Sequence, residues 1–240
     1  EYEKSILDNK PDLVLVAGDV NSTMACSLVA AKMHIKVGHI EGGLRSRDWS
    51  MPEEINRVVT DRIADYLFTT SIDADENLRA EGVAPDKIHF VGNTMIDSLN
   101  YYLTRARQLN LSDKYPIEEH KFILVTLHRP SNVDDDQTLH ELMRVLCQIQ
   151  ERLPVIFPMH PRTRKMLAEF GLNGELENAR NLIITEPLGY MEFLKLESTA
   201  FLVLTDSGGV QEETTALGIP CLTLRENTER PVTIWEGTNE

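Results

Sequence analysis

The strongest constraint on the fold is a repeated alternation of short, largely apolar runs with longer amphipathic stretches. In the first half the apolar runs fall at residues 12–17, 35–40, 66–70 and 88–91, and each leads into a stretch with helical character. Apolar strands separated by amphipathic helices are typical of parallel sheets that carry helices on both faces. The alternation therefore predicts an α/β fold built on parallel sheets.

The alternation is interrupted once, by a polar segment without periodicity. This segment, residues 110–120, is predicted to link an N-terminal Rossmann-like domain at residues 1–109 to a C-terminal one at residues 121–240. Beyond it, strand and helix patterns alternate again. Two such domains joined by a linker are predicted to face a central cleft.

Charge and composition exclude several kinds of partner. The chain has 38 acidic and 24 basic residues, a formal charge of −14, whereas a nucleic-acid surface needs clustered Lys and Arg. Its apolar runs are shorter than the roughly 18 residues of a membrane span. Cys26, Cys147 and Cys221 are far apart and odd in number, which favours a reducing cytoplasm and neither disulfides nor a metal site.

Acidic residues follow the first two predicted strands. Asp19 comes after the first strand and Glu41 after the second. Ligands of open parallel sheets bind outside the carboxyl ends of the strands, so these two carboxylates are predicted to face one crevice. Glu53 lies in the first turn of the next helix. Both Asp19 and Glu53 also have structural interpretations, Asp19 as a helix cap and Glu53 as a complement to the helix dipole.

Histidines occupy the corresponding places in the C-terminal half. His128 ends the strand predicted at 122–127, and His160 follows the strand predicted at 155–159. The same rule brings them to one edge of the second sheet. Each could instead be an ordinary loop histidine. A zinc site would need a third ligand at familiar spacing, and no such ligand is recognisable, so no metal is predicted.

A Ser-Gly-Gly sequence at residues 207–209 lies between a predicted strand and a predicted helix. Glycines let a phosphate approach the backbone, and the helix N-terminus offers N–H groups and partial positive charge, which suits a diphosphate. Glu213, one turn into the helix, could accept two ribose hydroxyls, and Arg230 could add a cation or be a surface residue. Neither a Gly-x-Gly-x-x-Gly sequence nor a Walker-type loop occurs, so no cofactor is predicted.

Together these motifs resemble the non-hydrolysing UDP-N-acetylglucosamine 2-epimerases, a family of the GT-B structural class. The matching segments occur in the family's order over nearly the whole chain. They are residues 17–19, 39–46, 52–57, 91–93, 127–129, 160–161, 206–213 and 228–231. The resemblance implies two Rossmann-like domains around a central cleft and a UDP-sugar substrate.

The resemblance also implies roles for individual residues. Those that match the catalytic positions are Asp19, Glu41, Glu53 and His128. Those that match or line the UDP site are His160, Leu188, Phe193, Ser207, Gly208, Gly209, Glu213 and Arg230. In this interpretation Phe193 faces the uracil, the Ser-Gly-Gly sequence holds the diphosphate, Glu213 takes the ribose and Arg230 offsets phosphate charge.

Three positions depart from the family pattern. Gly42 replaces the usual alanine of Glu-Ala-Gly-Leu-Arg, an exchange between small residues that should be tolerated. Pro130 and Ser131 stand where some members have Arg and Glu, so those side-chain contacts are not carried over. Leu188 stands where some members have Gln, which leaves only a backbone contact there.

The reaction implied is elimination of UDP across C1–C2 to a glycal, followed by addition on the other face. Carbon 2 has no adjacent carbonyl, so its proton is not acidic enough for simple enolisation. In the elimination route one protein group takes the C2 proton and another returns a proton from the opposite side. Asp19, Glu41 and Glu53 supply the candidates, in an order the sequence leaves open, and His128 would stabilise or protonate the departing phosphate. Three alternatives stay open: a hydrolysing epimerase that releases N-acetylmannosamine, a GT-B glycosyltransferase and a non-catalytic UDP-sugar-binding protein.

Family members extend further at both ends, and Glu1 falls inside a predicted helix. We therefore expect a fold that is incomplete at both ends. The isolated chain is expected to be poorly active or insoluble because of an unfinished sheet edge. The resemblance also implies a cytoplasmic homodimer that serves polysaccharide biosynthesis.

Overall fold

The first structural unit is a four-stranded parallel sheet with its crossover helices. The structure, a computed structural model, describes residues 1–176 and 179–240. It divides into two units. The first comprises residues 1–94 and 227–232, and the second comprises residues 95–226 and 233–240. The elements of the first unit are α1 (Tyr2–Asn9), β1 (Leu13–Ala17), α2 (Asn21–Lys32), β2 (Lys36–Ile40), α3 (Pro52–Ile63), β3 (Tyr66–Thr69), α4 (Ile72–Ala80), a 3-10 turn (Pro85–Lys87) and β4 (Ile88–Phe90). Pro52 begins α3. Proline lacks a backbone N–H, but the N–H at the first position of a helix has no partner within the helix, so no hydrogen bond is lost.

In this first sheet, helices cover one face only. The strand order is β1-β2-β3-β4, and right-handed crossovers between successive neighbours place every helix on the same side. Val14 and Val16 face those helices and are buried, whereas Leu13 and Leu15 point to the other face and are 40% and 55% exposed. Within residues 1–94 the helices therefore lie on one face of this sheet, because strand order decides which face a crossover helix covers.

The second unit contains a five-stranded parallel sheet. Its elements are α5 (Thr94–Arg107), whose first residue belongs to the first unit, β5 (Ile123–Thr126), α6 (Pro130–Val133), α7 (Asp136–Ile149), β6 (Val155–Pro158), α8 (Pro161–Glu169), α9 (Asn173–Leu176), β7 (Leu182–Thr185), α10 (Tyr190–Glu197), β8 (Leu202–Thr205), α11 (Gly208–Leu217), β9 (Cys221–Thr223) and α12 (Val232–Trp235), whose first residue belongs to the first unit. The short helices α6, α9 and α12 were not expected from the sequence. Within the described ranges, no helix is both long and apolar enough to cross a bilayer.

The second sheet has the doubly wound order β7-β6-β5-β8-β9. The chain runs outward from β5 to β7 and then returns to β8, so helices cover both faces, as predicted. Alternate residues of β5 divide between two cores: Ile123 and Val125 belong to one, and Leu124 to the other. The direction of winding reverses between β5 and β8, and the carboxyl ends of strands at such a switch point form the usual ligand crevice.

The division between the units lies after Thr94, the first residue of α5, whereas the predicted linker follows this helix. Helix α5 packs in the second unit, where Leu99 and Ala106 contact Leu194. The segment 110–120 is also fastened there: Tyr115 is 2% exposed and its hydroxyl donates to Glu192 at 2.8 Å. The polar composition that predicted a linker concealed this anchoring aromatic residue.

Candidate functional site

Asp19 lies immediately beyond β1 and is held by α3. Its carboxylate forms an ion pair with Arg57 Nη1 at 2.5 Å, and its carbonyl oxygen accepts a hydrogen bond from Asn56 at 2.8 Å. The Arg57 side chain is almost wholly buried, while that of Asp19 is 33% exposed. The carboxylate is therefore fixed in direction and still reachable by a ligand.

Glu41 lies at the neighbouring strand end and approaches the same turn. A Cβ built on Gly18, the residue before Asp19, would lie 3.6 Å from Glu41 Oε2. Glu41 adopts a left-handed backbone with φ of 69°, an uncommon conformation for a non-glycine residue. Its Oε1 is buried without a hydrogen-bond partner among the described residues and lies 3.8 Å from Arg230 Nη2. The structure thus brings Asp19 and Glu41 to one sheet edge.

Glu54 rather than Glu53 is the acidic residue that α3 uses structurally. The Glu54 carboxylate accepts hydrogen bonds from the backbone N–H groups of Ser46 and Arg47, both at 2.9 Å, and pairs with Arg57 at 2.9 Å. Burial raises the pKa of Glu54, but these hydrogen bonds outweigh it and leave the pKa lowered. Glu53 is half-buried and takes no part in these bonds.

The turn after Glu41 depends on Gly43. Gly43 has φ of 86°, and an added Cβ would lie 2.5 Å from the Ala74 carbonyl oxygen. A side chain there would be strained by its backbone and would collide with α4.

We expect Gly43→Ala to lower the free energy of unfolding by about 2–4 kcal/mol, from left-handed strain and overpacking together. Urea unfolding followed by circular dichroism measures the change. Gly42→Ala is the matched control: its Cβ would lie 3.1 Å from Asp61 Oδ1 and Leu67 Cδ2, without a positive φ. Gly42→Ala should lower the free energy of unfolding by less than about 1.5 kcal/mol. Equal losses for the two variants would contradict the prediction.

His128 and Asp206 meet at the switch point of the second sheet. His128 Nδ1 lies 2.8 Å from Asp206 Oδ1, and the other carboxylate oxygen accepts from the backbone N–H groups of His128 at 2.9 Å and Arg129 at 2.8 Å. Asn132 also donates to Asp206 at 3.1 Å. Burial raises the pKa of Asp206, yet the His128 hydrogen bond and charge outweigh it and lower the pKa.

His160 lies beside His128, with ring centroids 5.5 Å apart. Its Nδ1 accepts a hydrogen bond from the Arg162 backbone at 3.1 Å and so caps α8, which leaves Nε2 for a ligand. Burial and then the His128 charge lower the pKa of His160. Over residues 1–176 and 179–240, no cluster of three or more His, Cys, Asp or Glu side chains is arranged to hold a metal ion.

The Ser-Gly-Gly sequence forms the N-terminus of α11, as predicted. Ser207 is the N-cap residue, and Gly208 and Gly209 are the first two helical residues. Glu213 lies farther along this helix, is 8% exposed and accepts a hydrogen bond from the Tyr190 hydroxyl at 3.0 Å. Backbone N–H groups at a helix start and a carboxylate on the same helix are thus held in one unit.

A second carboxyl accompanies Glu213. Glu197 is wholly buried, and neither of its oxygens has a hydrogen-bond partner in the described part of the chain. Burial and then the Glu213 charge raise the pKa of Glu197 well above its usual value, and burial also raises the pKa of Glu213. The pair therefore retains a proton to higher pH than two separate carboxyls would.

The remaining predicted residues are placed as follows. Leu188 and Phe193 are half-buried and pack against the core that contains Phe122 and Leu124. Arg230 belongs to the first unit and lies beside Glu41, although the sequence assigned it to the C-terminal domain. Sequence reasoning assigned no role to the residues that orient the site, which are Asn56, Arg57, Tyr190 and Asp206. For Asp206, its place directly after β8 was an available signal.

Comparison with known proteins points to one family. The family model described as UDP-N-acetylglucosamine 2-epimerase matches residues 1–240. A UDP-N-acetylglucosamine 2-epimerase of Methanococcus maripaludis is 48% identical over 244 residues, covering 100% of this chain and 67% of that protein. A UDP-2,3-diacetamido-2,3-dideoxy-D-glucuronate 2-epimerase of Pseudomonas aeruginosa is 43% identical over 95% of this chain and 63% of its own length.

A solved structure is also similar. The crystal structure of Methanocaldococcus jannaschii UDP-GlcNAc 2-epimerase in complex with UDP-GlcNAc and UDP matches with a TM-score of 0.90 and 45% identity, covering 99% of this chain and 66% of that one. The chain thus spans about two thirds of the length of these relatives.

Proposed function

Because the chain belongs to the UDP-N-acetylglucosamine 2-epimerase family, we propose that the whole protein is an isomerase that interconverts UDP-GlcNAc and UDP-ManNAc. The observation that carries the proposal is the pair of carboxylates, Asp19 and Glu41, at adjacent strand ends around Gly18. Inversion at carbon 2 needs one group to remove a proton and another to return one. Two carboxylates at one edge, of which Asp19 is held by Arg57, meet that need.

The reaction begins with elimination. A carboxylate removes the C2 proton, the C–H electron pair forms the C1–C2 double bond of a glycal, and the C1–O bond breaks with its electrons going to UDP. Re-addition reverses these steps, with the proton delivered to the other face of C2. Asp19, Glu41 and Glu53 are the candidate bases and acids. His128, oriented by Asp206, stabilises or protonates the departing phosphate.

The second unit supplies the nucleotide site in this proposal. Ser207, Gly208 and Gly209 offer the diphosphate the N–H groups at the start of α11. Glu213 accepts the ribose hydroxyls, and Phe193 packs against the uracil. His160 and Leu188 complete the nucleotide site of this unit. Arg230, to which the resemblance gives the phosphate charge, belongs to the first unit and lies beside Glu41.

Incubation of the whole protein with UDP-GlcNAc in heavy water tests the function. We expect NMR to detect UDP-ManNAc, with deuterium at carbon 2 of both nucleotide sugars. Free N-acetylmannosamine and UDP as the main products would replace the proposal with a hydrolysing epimerase. UDP binding without deuterium uptake would instead indicate a glycosyltransferase or a binding protein.

A second substrate is favoured by one relative. The Pseudomonas aeruginosa protein, 43% identical, is by its name a 2-epimerase of UDP-2,3-diacetamido-2,3-dideoxy-D-glucuronate. The higher identity of 48% to a UDP-GlcNAc epimerase supports UDP-GlcNAc here. A comparison of kcat/KM for the two nucleotide sugars decides between them, and we expect the larger value for UDP-GlcNAc.

We further propose a cytoplasmic homodimer that serves polysaccharide biosynthesis. Cysteines that form no disulfide, Cys26, Cys147 and Cys221, suit a reducing compartment. Sedimentation equilibrium of the whole protein tests the dimer, and a monomer mass would reject it.

A further inference from the structure

His39 is a buried titratable group that the proposed reaction does not use. Its side chain has no solvent exposure, although it lies on β2 only two residues before Glu41. Its Nδ1 lies 2.6 Å from Asp61 Oδ1, and its Nε2 lies 2.9 Å from the carbonyl oxygen of Gly18. Both ring nitrogens are therefore engaged by oxygen atoms.

The partners determine where the protons lie. A carbonyl oxygen can only accept, so His39 Nε2 carries a hydrogen. The second Asp61 oxygen accepts from the Gly43 backbone at 3.0 Å and lies 2.7 Å from Arg45 Nη1, an arrangement that favours negative charge on Asp61. The proton between Nδ1 and Asp61 Oδ1 then belongs to the ring.

We propose that His39 is a protonated imidazolium in the folded protein and a positioning residue for Asp19 and Glu41. One N–H holds the carbonyl of Gly18, the residue directly before Asp19. The other holds Asp61, which fixes the turn after Glu41 through the Gly43 N–H. One buried cation thus ties together the two strand ends that carry the catalytic carboxylates.

The charges around His39 agree with this assignment. Burial alone lowers the pKa of His39, but the hydrogen bond and charge of Asp61, the Gly18 carbonyl and the Glu41 charge outweigh burial and raise the pKa. Asp61 faces the ring from α3, and Glu41 faces it from the end of β2. Arg45 pairs with the Asp61 oxygen that does not contact the ring. Arg230 lies beyond Glu41 at 3.8 Å.

Nitrogen NMR of the ¹⁵N-histidine-labelled whole protein tests the charge directly. At pH 8, where ordinary histidines are neutral, we expect both His39 ring nitrogens to have the shifts of protonated nitrogens. Loss of these signals in His39→Gln provides the assignment. Asp61→Asn removes the ring's charged partner and should make His39 neutral at the same pH. An unprotonated Nδ1 in the wild-type protein would overturn the proposal.

Stability against pH gives a second readout, which does not depend on activity. A folded pKa above the unfolded value means that the contribution of His39 is complete below about pH 6.5 and declines as pH rises through the folded pKa. The wild-type protein should lose stability over that range relative to His39→Gln. Parallel curves for the two proteins would contradict the charge.

The positioning role rests on the proposed epimerase function, whereas the protonation does not. We expect His39→Gln to lower kcat by about 10²-fold, because misplaced carboxylates lose alignment, with KM changed less than about threefold. His34→Gln, at an exposed histidine of the same unit, should leave both constants unchanged. If the His39 ring is protonated in the wild-type protein but His39→Gln keeps the wild-type kcat, the positioning role is rejected and the protonation stands. If the wild-type protein is inactive, the epimerase function is rejected instead.

Discussion

Replacing Glu41 with glutamine is expected to lower the rate of UDP-GlcNAc epimerisation by about 10²–10⁴-fold, the usual contribution of a general acid or base. Glutamine keeps the size of the side chain but cannot exchange a proton with carbon 2. The substitution removes the negative charge that lies 3.8 Å from Arg230, the candidate for the phosphate charge, and should not weaken UDP binding by more than about twofold. Deuterium exchange at carbon 2 measures the rate, and calorimetry measures the affinity.

The matched control is Glu76→Gln, which makes the same change at an exposed position on α4 of the same unit. Its rate and UDP affinity should equal those of the wild-type protein. A Glu41→Gln protein that exchanges deuterium at the wild-type rate would remove Glu41 from the reaction and leave Asp19 and Glu53 as the only carboxylate candidates.

The positions of Asp19, Glu41, His128 and His160 at strand ends were predictable because the sheets are parallel. In such a sheet each strand exits at the same edge, so the order of strand and helix along the chain determines which loops converge. The helix start at Ser207 was predictable for a similar local reason, since the glycines follow a strand and precede a helical pattern. Predictions of this kind need only the local pattern.

Features that depend on strand order were not predictable. In the first sheet the four strands lie in sequential order, so the helices of residues 1–94 lie on one face, and Leu13 and Leu15 point to the other. In the second sheet the chain reverses direction at β5, and both faces are covered. The two halves have similar hydrophobic patterns, so periodicity alone could not distinguish them.

Residues that orient the site were also hidden, because their partners are distant along the chain. Arg57 holds Asp19 from 38 positions away, and His128 contacts Asp206 from 78 positions away. In the local sequence, Arg57 and Asp206 look like ordinary charged residues of a helix and a loop. Only the folded chain reveals that Arg57 and Asp206 are buried and that each fixes a predicted site residue.

Asp206→Asn is expected to destabilise the second unit by about 2–4 kcal/mol at pH 7, since hydrogen bonds to a buried charge each contribute about 1.5–3 kcal/mol. One carboxylate oxygen accepts from the backbone N–H groups of His128 and Arg129, and the other lies 2.8 Å from His128 Nδ1. An amide can accept at only one of these places. Either two backbone N–H groups lose their acceptor, or His128 must present an unprotonated Nδ1 to the new NH₂ group.

The pH dependence of this loss has a definite sign. The pKa of Asp206 is lowered in the folded protein, so its contribution is present above the unfolded pKa of about 3.8 and disappears as pH falls through the folded value. The difference between the unfolding free energies of Asp206→Asn and the wild-type protein should therefore shrink in strong acid. Urea unfolding at several pH values measures it.

Asp135→Asn provides the control, because this exposed aspartate caps α7 by accepting from the Thr138 N–H, and asparagine caps equally well. Its unfolding free energy should change by less than about 0.5 kcal/mol.

A measurement of kcat separates the effect of Asp206→Asn on stability from its effect on the orientation of His128. Without the Asp206 carboxylate, no acceptor holds the Nδ1–H of His128 and no anion stabilises a positive charge on the ring, so kcat falls even where the protein is fully folded. A folded Asp206→Asn protein with unchanged kcat would mean that Asp206 stabilises the switch point of the second sheet without orienting His128 for catalysis.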